Sequence, residues 1–351
     1  MDRRQYLGLA GSGLLLSAMS SLVAVPSLAA SKRRQPAALL VPLSGASAAL
    51  GLSMQRAAAL AQPIDGRDAQ LFVFDTGGTA EGAQAAARQA IRRGAKLILG
   101  PLFAAEVRPV LAAAGGRVPV LSFSNDDSLH DSGAFLLGLT PSQMTGAILQ
   151  YARKRGVRTV AMPAGEGNWA RAAAEMATRL QGEIGISLIT VAGTDAAALS
   201  QANGGELPDA LFLPDGGAGF IAAARALKGS GVQMLGTMQA LDHAPASLAA
   251  IEGAWLAAPD PAAFAQFARD HQARNGGAPG AIAALAYDAA NIAKSLATAG
   301  QVDRAGLLAG AGFPGVTGAV RFRADGTCVR ELSILVAGAE GYSAVDRSAS
   351  A

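Results

Sequence analysis

Residues 38–45 read Ala-Leu-Leu-Val-Pro-Leu-Ser-Gly, a short apolar run that ends in a turn. The run does not alternate polar and apolar residues, which is typical of a parallel strand buried on both faces. An Ala-rich stretch with helical spacing follows at 53–61. The segment therefore predicts a strand over 38–41, a turn that begins at Pro42, and a helix after the turn.

The same unit recurs along the chain, as short apolar runs that alternate with helical patterns. The predicted strands are 38–41, 70–74, 97–99, 118–123, 159–162, 187–191, 210–213 and 233–235. Strands that alternate with helices in this way indicate right-handed βαβ units and parallel sheets covered on both faces. No long linker interrupts residues 36–345. The pattern thus predicts an α/β chain of two lobes with parallel sheets, joined by several crossings of the chain.

The last third of the chain has a different rhythm. Its predicted elements are a strand at 254–257, helices at 261–274 and 282–299, and strands at 320–323, 331–336 and 342–345. Asp325-Gly326 lies between two of these strands and is a typical hairpin turn. A polar tail is predicted over 346–351.

The composition excludes several classes of protein and site. Of 351 residues, 51% are hydrophobic and only 16% are charged, which excludes a disordered polyampholyte. The 29 basic and 26 acidic residues give a formal net charge of +3, too small for a nucleic-acid footprint. One Cys excludes an intrachain disulfide and a thiolate zinc site, and three scattered His offer little for a histidine metal site. We therefore expect no nucleic-acid partner and no bound metal.

The first thirty residues have the features of an export signal. Arg3 and Arg4 precede an apolar stretch, and Ser27 and Ala29 occupy the small-residue positions of a signal-peptidase site. The arginine pair resembles a twin-arginine signal, whereas an uncleaved membrane anchor is the alternative. No Cys follows the apolar stretch, so a lipoprotein is not expected. The sequence predicts cleavage after Ala29 and a soluble periplasmic protein.

No constellation of catalytic residues stands out. Residues 165–170 match the dinucleotide pattern G-x-G-x-x-A, but the next predicted strand does not end in the required acid, so no cofactor is expected. Cys328 is far from any His in the sequence and is expected to be a packed thiol. Asp288 lies inside a long Ala-rich helix, where a hydrogen bond to a neighbouring loop would explain it. We therefore expect a protein that is not an enzyme.

Five segments together resemble the type I periplasmic binding proteins, in the leucine/isoleucine/valine-binding group. These segments are residues 38–45, 97–102, 118–122, 286–289 and 316–326, in the order found in that family. The resemblance extends over 36–345. Locally, residues 100–121 are most similar to the carboxy-terminal domain of the lipoprotein activators of penicillin-binding proteins.

The resemblance implies two Rossmann-like lobes joined by three hinge crossings, with a ligand cleft between them. One lobe would comprise 36–140 plus 259–318, and the other 141–258 plus 319–345. The implied function is to capture a small ligand for an ABC-type transporter and present it to an inner-membrane permease. The alternative is a scaffold that regulates peptidoglycan synthesis by binding a penicillin-binding protein and uses no ligand.

The family's amino-acid clamp is missing at two positions. Amino-acid binders carry a hydroxyl just after the Gly-Pro turn, where this chain has Phe103, and an acid after the strand at 233–235, where it has Gln239 with Asp242 nearby. The resemblance therefore implies a ligand other than a simple α-amino acid. The candidate cleft residues are Ser44, Phe103, Ser124, Asn125, Asn168, Trp169, Asp215, Phe220, Gln239 and Asp242, with no catalytic residue among them.

Overall fold

The computed structural model describes residues 35–64 and 69–348. The predicted export signal and its cleavage site lie outside the described residues. Among the described residues, no helix is both long and apolar enough to span a bilayer.

The first sheet has five parallel strands in the order β2-β1-β3-β4-β5. They are β1 (Ala37–Val41), β2 (Leu71–Asp75), β3 (Leu97–Leu99), β4 (Val120–Ser122) and β5 (Phe135–Leu136). Every residue of β1 is buried, as its unbroken apolar sequence predicts. β5 was not predicted, since two residues are too few to produce a recognisable pattern.

The second sheet has seven strands in the order β14-β13-β10-β9-β8-β6-β7. They are β6 (Thr159–Pro163), β7 (Ser187–Val191), β8 (Ala210–Leu213), β9 (Gln233–Thr237), β10 (Trp255–Ala258), β13 (Ser333–Gly338) and β14 (Gly341–Arg347). The last two strands run antiparallel to their neighbours, so this sheet is mixed rather than wholly parallel. The predicted two-lobed α/β fold is confirmed with that difference.

A separate hairpin links the two sheets. It consists of β11 (Val320–Phe322) and β12 (Cys328–Arg330), and it turns at Asp325-Gly326 as predicted. The backbone N–H of Leu136 donates to the Gly326 carbonyl at 2.8 Å, so the hairpin lies against β5 of the first sheet. The chain crosses from the hairpin to β13 only after Arg330. The predicted boundaries of the two lobes stay a prediction.

Eleven α-helices cover the sheets within the described residues. They are α1 (Ala48–Ala61), α2 (Ala80–Arg92), α3 (Ala104–Ala114), α4 (Pro141–Lys154), α5 (Gly167–Ile184), α6 (Ala196–Ala202), α7 (Gly217–Ala226), α8 (Pro245–Ala250), α9 (Pro261–Asn275), α10 (Ala281–Ala299) and α11 (Arg304–Leu307). The short helices α6, α8 and α11 were not predicted. The helices α9 and α10 follow the second sheet in sequence but pack on α1 at the first.

The apolar core is continuous from one sheet to the other. One cluster of buried side chains runs from Leu39 of β1 through Phe135 and Phe322 to Ile148 of α4 and Phe212 of β8. The rings of Phe135 and Phe322 meet edge to face at 5.4 Å between centroids. The hairpin therefore joins the apolar layers of the two sheets.

The end of the chain is more ordered than the predicted polar tail. The strand β14 extends to Arg347, whose guanidinium pairs with Asp260 and Glu331, each at 3.1 Å. Asp346 pairs with Lys154 of α4 at 2.6 Å. These ion pairs and the ladder with β13 explain why the strand extends two residues into the predicted tail.

Candidate functional site

The carboxyl edge of the first sheet satisfies its own polar groups. One carboxylate oxygen of Asp75 accepts the backbone N–H groups of Leu43, Ser44 and Gly77 at 2.7 to 3.2 Å. Desolvation alone would raise the pKa of Asp75, but these bonds and one from the Ser44 hydroxyl lower it below its ordinary value. Ser44, a predicted cleft residue, thus serves the turn that follows β1.

A half-buried aromatic ring, that of Phe103, follows the Gly100-Pro101 turn after β3. Phe103 precedes α3, and a side chain placed on Gly78 would come within 3.5 Å of its ring. Its backbone N–H donates to Glu106 Oε2 at 3.1 Å, which closes the first turn of α3. Glu106 is 1% exposed and its Oε1 has no partner among the described residues. Burial raises the pKa of Glu106.

The loop after β4 holds two predicted residues that behave differently. Ser124 is buried, and its hydroxyl accepts the backbone N–H of Asp126 at 3.2 Å, so it stabilises the loop. Asn125 is exposed, and its amide has no hydrogen bond within the described chain. Only Asn125 of this pair is available to a ligand.

The second sheet presents a fixed tryptophan. Trp169 lies in the first turn of α5, and its indole N–H donates to the Pro214 carbonyl at 3.0 Å, which also accepts the Thr237 hydroxyl at 2.7 Å. Asp215 follows Pro214 and is exposed, and partial desolvation raises the pKa of its carboxyl group. Asn168 is exposed beside the tryptophan and has no hydrogen bond within the described chain.

Three further predicted residues do not line the cavity described in the next paragraph. Phe220 is 1% exposed and packs in the core of the second sheet against Gly236. Because the apolar face of α7 is turned inward, the prediction that Phe220 is a cleft residue is corrected. The Asp242 carboxylate accepts the N–H of Ala244 at 2.8 Å, a bond that lowers the pKa of Asp242. Gln239 is exposed in the turn after β9 but does not line the cavity described next.

A cavity of about 930 Å³ lies between elements of the two sheets. Asn125 lines it from the first sheet, and Asn168 and Trp169 line it from the second. The helix α4, the helix α5 and the hairpin complete the walls. Of the ten predicted residues, the structure brings these three together around one space. Its volume is at the upper end of the range for small-molecule sites.

Sequence reasoning missed the cavity's most buried charge. Arg330 is 4% exposed, and it donates to the Thr317 carbonyl at 3.1 Å, to the Thr317 hydroxyl and to the Leu137 carbonyl. Thr317 in turn donates its N–H and hydroxyl to Asp288 at 2.9 and 2.6 Å. The expected bond from a loop to Asp288 is therefore confirmed. Burial raises the pKa of Asp288, although the Arg330 charge opposes the rise.

The remaining chemistry of the site is limited. Cys328 is buried, and Gln143 Nε2 donates to its carbonyl at 2.9 Å, so it is the packed thiol that the sequence predicts. Burial raises the pKa of this thiol. Within residues 35–64 and 69–348, no three His, Cys, Asp or Glu side chains are grouped so as to hold a metal ion.

A family model described as "Periplasmic binding protein" matches residues 35–341. No curated protein matches the chain in sequence. Many solved structures share the fold. A Rhodospirillum rubrum protein assigned to branched-chain amino acid ABC transport is 20% identical, with 89% of this chain and 100% of that one covered and a TM-score of 0.76.

Two further structures represent both functions suggested by the sequence. The C-domain of LpoA from Haemophilus influenzae, a regulator of PBP1A, is 18% identical, with a TM-score of 0.71 over 89% of this chain and 100% of that one. The leucine-binding protein LivK from Thermotoga maritima is 19% identical, with a TM-score of 0.59 over 90% and 98%. At these identities the likeness establishes the fold alone.

Proposed function

Because the chain belongs to the periplasmic binding protein family, as its sequence motifs indicated, we propose that it captures a small ligand between its two lobes. The observation that carries this proposal is the cavity of about 930 Å³ that both sheets line. Two unbonded amides, Asn125 and Asn168, supply hydrogen-bonding groups there, and Trp169 supplies a fixed apolar wall.

The ligand we propose is not a simple α-amino acid. Phe103 replaces the hydroxyl that would hold an α-carboxylate, and the carboxylate of Asp242 is used by a turn instead of a ligand ammonium. A free amino acid would also leave most of the cavity to water. A larger molecule can reach Asn125 and Trp169 together.

The setting we propose is the periplasm, after removal of the signal, with the loaded protein presenting its ligand to an ABC-type permease. The N-terminal signal pattern and the family support this proposal. We propose a binding role without catalysis, because the described cavity combines no nucleophile with an adjacent base.

A scaffold that regulates a penicillin-binding protein is the second candidate. The fold similarity to the LpoA C-domain and the missing amino-acid clamp favour it. The continuous apolar core through the hairpin also favours it, since such a core resists hinge motion. A pull-down with a purified peptidoglycan synthase tests this alternative, and recovery of the synthase without any ligand would support it.

The test of ligand capture combines native mass spectrometry with thermal unfolding of the purified protein. The panel contains amino acids, short peptides, aromatic carboxylates and cell-wall fragments. A ligand at about 100 times its Kd should stabilise the protein by about 2.7 kcal/mol. Asn125→Ala and Trp169→Ala should lose this gain, whereas Asn203→Ala, outside the cavity, should keep it. Equal gains in all variants would contradict the cavity as the site.

A further inference from the structure

The cavity's acids on the first sheet and the hairpin already accept hydrogen bonds from the protein. Asp126 accepts the N–H of Ser128 at 3.0 Å, and Asp127 accepts the N–H of Ser142 at 3.2 Å. Asp325 accepts both the N–H and the hydroxyl of Thr327. These three carboxylates therefore serve turns and a helix start.

The cations on that side are also accounted for. Arg323 and His130 lie close enough to Asp325 for their charges to act on its carboxylate. Arg330 donates to the carbonyls of Thr317 and Leu137 through its two terminal nitrogens, and its Nε has no partner in the described chain. The charged groups on the hairpin side of the cavity thus already have partners within the fold.

The opposite wall, formed by α5, is different. We call Arg171, Ala172, Glu175, Met176 and Arg179 the α5 wall, and all five line the cavity. Arg171 and Glu175 make no hydrogen bond or ion pair with the described chain, and Arg179 donates only to Met176 Sδ at 3.3 Å. The wall therefore presents a positive, a negative and a positive charge, none of them in an ion pair with the described chain.

The spacing of these charges matches an extended peptide. Residues four apart on a helix are about 6 Å apart along its axis. Side chains on one face of an extended strand repeat every two residues, at about 6.7 Å. Three alternate side chains of a peptide can therefore stand opposite Arg171, Glu175 and Arg179 in turn.

The other groups of the cavity suit a peptide backbone. The amides of Asn125, Asn168 and Gln150 line it and make no hydrogen bond within the described chain. An amide both donates and accepts, as a peptide group requires. Trp169 and Met176 offer apolar surface to the intervening side chains.

We propose that the cavity binds a short extended peptide whose alternate side chains are acidic, basic and acidic, read along α5. This inference rests on the proposed ligand site and names its ligand class. The complementary charges set the register of the peptide, and the three amides hold its backbone.

The probe is the capped pentapeptide Glu-Ala-Lys-Ala-Glu, titrated into Trp255→Phe protein, where Trp169 is the one remaining tryptophan of the sequence. We expect saturable quenching or a shift of its fluorescence. Arg171→Ala and Arg179→Ala should each weaken binding about threefold, because exposed ion pairs are modest in strength. Arg225→Ala, on the distant helix α7, is the matched control and should leave the affinity unchanged.

Charge reversal gives the decisive comparison. The triple variant Arg171→Glu, Glu175→Lys, Arg179→Glu should prefer Lys-Ala-Glu-Ala-Lys over the original peptide. Binding of the first peptide with equal affinity to wild type and triple variant would overturn the charge assignment and leave the ligand site standing. A panel ligand that shifts Trp169 when no peptide does would overturn the peptide class alone. If neither a peptide nor any panel ligand affects Trp169, this inference and the proposed function both fail.

Discussion

Arginines that line the same cavity lie in opposite environments. Arg330 is buried and bonded to two backbone carbonyls, whereas Arg171 and Arg179 are exposed and pair with no carboxylate of the described chain. The difference shows two roles of the arginine side chain, one in stabilising the fold and one in binding a ligand. A buried guanidinium needs partners within the fold, because an unpaired buried charge is very costly. Of the three Arg330 nitrogens, only Nε has no partner in the described chain. An exposed guanidinium needs no partner within the fold, since water solvates it until a ligand binds.

The largest expected effect on stability comes from replacing the buried arginine, Arg330. Arg330→Ala removes the donors to Leu137 and Thr317 and leaves Asp288 without a nearby cation. We expect the free energy of unfolding in urea to fall by about 3 to 5 kcal/mol. Arg330→Lys, which keeps the charge, should recover part of the loss. A loss under about 1 kcal/mol would mean that this network does not stabilise the connection between the lobes.

A smaller effect concerns Glu106, another buried charge, whose Oε1 has no partner in the described chain. Its raised pKa means that the folded protein binds a proton more tightly than the unfolded chain. The contribution of Glu106 to stability is therefore greatest at low pH and declines as the pH rises from the ordinary glutamate pKa through the raised one. Glu106→Gln should stabilise the protein at neutral pH by about 1 kcal/mol and flatten this part of the pH profile. An unchanged profile in urea unfolding from pH 4 to 8 would contradict the burial argument.

A change of similar size, but a loss of stability, is expected at Asp75, which accepts hydrogen bonds at the carboxyl edge of the first sheet. Asp75→Ala removes the acceptor of three backbone N–H groups, and capping bonds of this kind are worth about 1 kcal/mol. Asp75→Asn retains one oxygen acceptor and should lose less. Because the pKa of Asp75 is lowered, its contribution is present above the ordinary pKa and is lost in acid. Urea unfolding of the three proteins at neutral pH checks the order, and an Asn variant less stable than the Ala variant would contradict it.

The smallest expected effect on stability comes from replacing the exposed arginines of the α5 wall. Arg171→Ala and Arg179→Ala should change the free energy of unfolding by less than about 0.5 kcal/mol, because neither side chain has a charged partner in the described chain. Both variants should nevertheless weaken binding of the acidic-basic-acidic peptide. Thermal unfolding without peptide, run beside the fluorescence titration, separates the two effects. A large loss of stability would mean that these arginines, like Arg330, stabilise the fold.

Much of the fold could be predicted from the sequence because buried parallel strands leave an unbroken apolar signature. The strand at 97–99 and the hairpin turn at Asp325-Gly326 match the prediction. β12 was not predicted, and the burial of its Arg330 depends on carbonyls distant in sequence. Helix α5 extends beyond the helical pattern at 170–180 at both ends, and its first turn begins at Gly167 in a stretch that resembles a loop.

The site was harder to predict than the fold. Asn125, Asn168 and Trp169 follow strand ends, which is the usual place for ligands in open α/β sheets. The α5 wall could not be singled out, because Arg171, Glu175 and Arg179 at helical spacing are typical of any solvated helix face. Only the position of these side chains at the cavity suggests that their spacing serves ligand binding. Phe220 was wrongly included because its position after a strand end does not reveal which way its ring points.

The most direct test of the central claim is a crystal structure of the protein purified from the cells that produce it naturally, without added ligand. The account predicts electron density for an extended ligand between the lobes, in contact with Trp169, Asn125 and the α5 wall. Density for a ligand at the loops after β1 to β3 instead, or only ordered water between the lobes, would contradict it.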